Sequence, residues 1–181
     1  MKKFIAFAIA AIVSLGAAAQ DFYVGGSIAA WRNGTEHTTT MGILPEIGYN
    51  LSDKTAIGTT IGWTYNHTSD KVTTNLFEIE PYYRYFFFKS GIVGMFLDGA
   101  AGIGAGRTSY DGEHSKTAVT WEIGIKPGIS VALSDKCSIE AHVGMLGYEG
   151  ANHAAKDGGA DEGWGFYLSG NQLKLGFYYT F

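Results

Sequence analysis

From Asp21 onward, apolar and polar residues alternate with period two, the pattern of strands that have two unlike faces. The clearest run is Phe77-Glu-Ile-Glu-Pro-Tyr-Tyr-Arg-Tyr-Phe-Phe87. One face carries Phe77, Ile79, Pro81, Tyr83, Tyr85 and Phe87, and the other Glu78, Glu80, Tyr82, Arg84 and Phe86. The same alternation predicts eight strands, near 22–32, 39–50, 55–65, 75–88, 92–107, 117–131, 137–148 and 164–181. One parity collects Met41, Ile43, Ile57, Trp63, Leu97, Ile103, Trp121, Ile123, Ile139, Val143 and Met145, and carries no charge in strands two to eight. The opposite parity collects Glu46, Glu78, Glu80, Arg84, Asp98, Glu122, Lys126, Glu140, His142 and Lys174 among many glycines. The first strand is ambiguous, because Phe22, Val24 and Ile28 oppose Tyr23 and Trp31. In the last strand Phe166 and Leu168 are out of step with Leu173 to Phe181, which calls for a bulge near Gly170.

Connection lengths alternate too. Four are long (33–38, 66–74, 108–116, 149–163) and three are tight (51–54, 88–91, 133–136). Long loops at one end and short turns at the other are the habit of transmembrane barrels. One segment repeats: Pro45-x-Ile47-x-x-x-Leu51-Ser-Asp-Lys-x-x-Ile57 recurs as Pro127-x-Ile129-x-x-x-Leu133-Ser-Asp-Lys-x-x-Ile139. Its Ser-Asp pair supplies oxygens that accept bonds from a turn backbone. Pro45, Pro81 and Pro127 each fall six or seven residues before a short turn, on the apolar face. Their shared position implies a shared device, a kink near the inner membrane-water boundary.

Composition narrows the class. Charged residues are 17% of the 181, against the roughly 25% usual for soluble domains, and there are 26 glycines. The first twenty residues stand apart: Lys2 and Lys3, an apolar run from Phe4 to Leu15, then Ala17-Ala18-Ala19. This is the layout of a secretory signal peptide, expected over 1–20, with the barrel domain over 21–181. Without Lys2 and Lys3, 11 basic residues face 17 acidic ones, a net charge of about −6. That balance argues against a nucleic-acid partner. Cys137 is the sole cysteine, so no intrachain disulfide staples the fold.

The C-terminus reads Leu173-x-Leu175-x-Phe177-x-Tyr179-x-Phe181. It resembles the signal by which barrel-assembly machinery recognises its clients. With the eight-strand layout, residues 21–181 resemble the small outer-membrane barrels of OmpX and OmpA transmembrane-domain type. The resemblance implies an all-β fold, an eight-stranded antiparallel up-and-down transmembrane β-barrel in a Gram-negative-type outer membrane. It further implies membrane lipid and the assembly machinery as partners, and a monomer.

Eight strands enclose a space just wide enough for side chains to fill. The ten charged residues of the polar parity are therefore expected to form a salt-bridge network within the lumen. On this reading the protein is structural, and meets host or environmental ligands through its long loops. Two alternatives stay open: a narrow pore for ions or small solutes, and a secreted lipocalin-like barrel with its faces reversed. Trp31, Trp63, Tyr65, Tyr83, Tyr85, Trp121 and Tyr179 are candidates for interfacial aromatic girdles, with Tyr178 facing inward. Histidines 37, 67, 114 and 153 fall one in each long loop and read as solvated. Asp111, Glu113, His114 and Ser115 cluster in one loop without a visible partner set, so no enzyme, cofactor or metal is expected.

Overall fold

A closed antiparallel barrel results from these alternating strands. The computed structural model describes residues 21–33, 38–68, 72–110, 113–157, 160, 162–168 and 174–181. The expected signal segment 1–20, Gly170 and Leu173 lie outside them. The strands are β1 (Phe22–Asn33), β2 (Thr38–Ser52), β3 (Thr55–Thr68), β4 (Val72–Ser90), β5 (Val93–Tyr110) and the two-residue β6 (Glu113–His114). Then follow β7 (Ala118–Ala132), β8 (Cys137–His142), β9 (Gly144–Ala151), the short helix α1 (His153–Asp157), β10 (Gly163–Leu168) and β11 (Lys174–Thr180). β1 to β5 pair in succession, β5 pairs with β6 and β7, β7 pairs with both β8 and β9, β9 with β10 and β8 with β11, and β11 returns to β1 through Val24↔Tyr179. With β8 and β9 in one wall position and β10 and β11 in another, eight positions close the sheet.

The apolar parity faces outward. Ile43, Trp63, Phe77, Ile79, Ile103, Trp121, Ile123 and Phe177 are all exposed, while Arg84, Asp98, Glu46 and Glu140 are buried. The lipocalin-like arrangement requires the reverse and is overturned. The first strand joins the same scheme: Tyr23 is buried inside and Ile28 is exposed.

Two irregularities change the expected faces. Pairing runs from Gly128↔His142 to Ile125↔Leu146, so β8 and β9 advance four residues while β7 advances three. The extra residue sits at Val143, whose amide bonds to the Pro127 carbonyl at 3.0 Å. Pro127 has no N–H to return, so the ladder gives way there. Gly144 follows with φ 157°, a conformation open to glycine. Beyond this bulge the parity inverts: Met145, expected outside, is buried, and Leu146 takes the outer face. Between Phe86↔Phe96 and Phe88↔Met95 a second bulge turns both Phe87 and Phe88 outward.

The prolines act alike. Each lies in mid-strand where one ladder is interrupted. β2–β3 pairing skips from Ile43↔Trp63 to Glu46↔Thr60, and β4–β5 pairing from Ile79↔Ile103 to Tyr82↔Ala100.

The repeated turn is one structure used twice. Ser52 Oγ accepts from the amides of Lys54 and Thr55, both at 3.2 Å. Ser134 Oγ accepts from Lys136 at 3.3 Å and Cys137 at 3.1 Å. At the opposite end the strands outrun their expected limits. β3 and β4 stay paired to Thr68↔Val72, which shortens the expected 66–74 loop to 69–71. Thr38, Thr68, Thr73 and Thr74 supply the β-branched side chains that extend this polar rim.

Candidate functional site

The interior is divided by a layer of packed side chains at mid-height. Its centre is Arg84, 2% exposed, projecting from β4. Register places Arg84 directly opposite Asp98 on β5, and the pair is bidentate: Nε to Oδ1 and Nη2 to Oδ2, both 2.8 Å. Barrel closure brings Glu140 of β8 to Nη1, and Glu46 of β2 to within 3.6 Å of Nη2. The guanidinium plane lies over the rings of Phe96 (4.1 Å) and Tyr82 (4.9 Å). Cationic planes favour aromatic faces, most strongly away from water.

Three carboxylates around one guanidinium would leave buried charge uncompensated. Neutral donors fill the deficit. Tyr82 and Tyr178 donate hydroxyl bonds to Glu46, the latter at 2.9 Å, and Thr60 adds one at 3.4 Å. The Tyr82 hydroxyl also meets that of Tyr23. Ser130 donates to Glu140 at 3.3 Å, and His142 Nε2 lies 2.8 Å from Asp98 Oδ2.

Glycines make room for the rings. A Cβ at Gly48 would stand 2.2 Å from the Tyr23 ring, and one at Gly128 would stand 2.3 Å from Phe96. The layer thus has aromatic rings laid flat on glycine-bare backbone, with the ions between them.

A chamber of about 340 Å³ opens on the long-loop side, lined by Glu78, Glu80, Glu122, Lys126 and Glu149. There Lys126 is hydrogen-bonded to Glu80 and reaches Glu122 at 2.7 Å. Glu78 lies against Gly62. On the short-turn side a second chamber of about 500 Å³ is floored by Arg84, Glu140, Tyr23 and Tyr178. Among the described residues none lines both chambers.

Of the ten residues expected in the lumen, Glu46, Arg84, Asp98, Glu140 and His142 meet in the central layer, and Glu78, Glu80, Glu122 and Lys126 line the chamber on the long-loop side. Lys174 pairs by backbone with His142, and its side chain lies outside the described part. Sequence reasoning missed Tyr23, Phe96 and Glu149. Phe96 shares parity with Asp98 on its own strand, a signal that was available, whereas Tyr23 lies in the ambiguous first strand. Glu149 faces the chamber only because the Val143 bulge shifts its strand. Of the C-terminal residues, Leu175 and Phe177 are exposed outside, and Tyr179 packs edge-on to Phe181 at 5.3 Å. Among the described residues no group of three or more His, Cys, Asp or Glu could hold a metal ion.

No curated protein matches the chain. Two of the solved structures it matches are the following. Neisserial surface protein A is 16% identical, with 88% of this chain and 97% of that one covered and a TM-score of 0.49. The translocator domain of the autotransporter NalP from Neisseria meningitidis is 12% identical, with coverages of 89% and 88% and a TM-score of 0.42. The family model described as "Outer membrane protein beta-barrel domain" matches residues 5–181. The chain therefore belongs to the outer membrane β-barrel family, and its apolar outer wall is the surface that faces lipid.

Proposed function

We propose that this protein is a plugged outer-membrane anchor that acts through its long loops and passes no solute. The observation that carries the reading is the Arg84 layer. Its guanidinium is held by three carboxylates and lies over two rings, with chambers on either side that share no lining residue among those described. Opening a path would require Arg84 to leave Asp98 and Glu140, exposing buried charges without partners.

The same reading includes export by residues 1–20 and recognition of the Leu175–Phe181 strand end by the assembly machinery. The working form is a monomer. The loops would meet a host or environmental ligand, supported by the described part of the fourth connection. There Asn152 accepts from Val119 at 3.1 Å and Ala155 at 2.9 Å and donates to Thr117 at 3.0 Å, pinning α1 to the β7 rim.

Purified protein in planar bilayers tests the plug. Baseline current without stable steps is expected for the wild type, and Arg84→Ala is expected to introduce brief openings. Steady nanosiemens-scale steps in the wild type would replace this reading with the pore.

A further inference from the structure

Two different strands stand beside β1 over the height of the wall. On the short-turn side β11 pairs with β1 from Tyr23↔Thr180 to Ser27↔Gly176. Above that, the wall position passes to β10, which pairs with β9 from Gly163↔Glu149 to Leu168↔Gly144. Among the described residues no ladder joins β10 to the upper part of β1, Ile28 to Asn33. A lateral seam therefore runs between these two strand edges. β10 has six residues. At about 3.3 Å per residue and a tilt of about 45°, they rise about 14 Å, roughly the depth of one leaflet. β10 begins directly after the fourth long connection, so the seam lies in the half of the wall nearest the long loops. Its outer flank is apolar: Ile28, Trp164 and Phe166 are 83%, 82% and 66% exposed.

The inner flank is roomy and polar. A Cβ at Gly163 or Gly165 would meet nothing within 4 Å. Beside these glycines lies a cavity of about 240 Å³ that shares Glu149 with the loop-side chamber. Bordering a polar cavity is the setting in which unpaired backbone is tolerated at membrane depth. Register sets Glu149 directly across from Glu122, and like charges so placed repel. Lys126 bonds to Glu122 and Glu80. Among the described residues Glu149 has no hydrogen-bond or ion-pair partner.

We infer that the seam admits an amphipathic amine, its ammonium head beside Glu149 and its apolar tail leading out between Ile28 and Phe166 into the outer leaflet. The head supplies the counter-charge that Glu149 lacks and offsets its repulsion with Glu122. An amphipathic anion would add to that repulsion. Arg32, exposed near the loop end of β1, is the feature that would favour an anion instead. The site lies wholly on the loop side of Arg84. It is thus independent of the plug, and bilayer currents do not read it.

Two variants provide the test. Gly165→Phe should fill the cavity from open space, and Glu149→Gln removes the charge while keeping the shape. Heat-modifiable gel migration verifies that each folds. The full chain, folded in nonionic detergent at neutral pH, is titrated with dodecylammonium and separately with dodecanoate, and bound adducts are counted by native mass spectrometry. One dodecylammonium should be retained above the micelle background, and dodecanoate should not. The apparent affinity for dodecylammonium should fall about tenfold or more in folded Glu149→Gln, the loss of a hydrogen bond to a charged group. A fall of similar size is expected in folded Gly165→Phe. Equal or preferred retention of dodecanoate, no dodecylammonium adduct above background, or unchanged affinity in either folded variant would overturn the inference.

Discussion

Arg84 and Asp98 stand directly across the β4–β5 ladder and share two hydrogen bonds of 2.8 Å each, both residues 2% exposed. Removing the cation leaves the buried carboxylates of Asp98, Glu46 and Glu140 facing one another without their shared partner. Arg84→Met should therefore cost about 3–5 kcal/mol, the range for breaking a buried ion pair from one side. Arg84→Lys should recover only part, since an ammonium cannot match the bidentate fork. Urea unfolding in lipid vesicles reads both. A double-mutant cycle with Asp98→Leu should be non-additive by at least about 0.5 kcal/mol.

The ring-on-glycine packing makes a contrast between two glycines. Gly48→Ala drives a methyl into the Tyr23 ring at 2.2 Å, so Tyr23 must move off Tyr82. The expected cost is about 1–3 kcal/mol, that of overpacking. Gly99→Ala, on the outer wall with open space around it, should change stability by less than about 0.5 kcal/mol. Equal effects in the same unfolding assay would contradict the inward packing of Tyr23.

Gly91 closes the β4–β5 turn with φ 59°, and a Cβ there would meet nothing within 4 Å. Any penalty on substitution is thus conformational. Gly91→Val should cost about 1–2 kcal/mol or more, whereas Gly91→Asn should cost clearly less, because asparagine tolerates the left-handed region. The ranking Gly, Asn, Val in refolding yield and urea midpoint checks this.

The fourth long connection should loosen in acid. Lys156, hydrogen-bonded to Glu162, holds that exposed carboxyl below the ordinary carboxylate range. The folded loop prefers the ionised form, so its small contribution is full above that range and lost as pH falls through the lowered value. Hydrogen exchange of α1 amides, corrected for intrinsic rates, should quicken at that acid end. Glu162→Gln should show the quickened rate already at neutral pH, with the pH step gone.

Which residues face inward was legible from alternation alone wherever the ladder is regular, as for Glu122, Lys126 and the Arg84–Asp98 pair. It failed at Met145 because the cause, the missing N–H of Pro127, lies on the neighbouring strand. Local periodicity carries no record of a cross-strand insertion. The grouping of Glu46 and Glu140 around Arg84 was not legible either. Those residues are distant in sequence and are joined only by closure of the sheet. Tyr82 and Tyr178 were legible as inward, from the parity they share with Arg84 and Lys174. Tyr23 was not, because Phe22, Val24 and Ile28 oppose Tyr23 and Trp31 and leave the faces of the first strand undecided.

The account depends most on which face of the wall touches hydrocarbon. Nitroxide side chains placed singly at residues 120 to 125 of β7, in the protein reconstituted into bilayers, read this directly through their collision rate with dissolved oxygen. High accessibility at 121, 123 and 125, alternating with low values at 120, 122 and 124, is the expected result. The opposite phase, with position 122 in lipid and 123 shielded, would contradict the barrel described above.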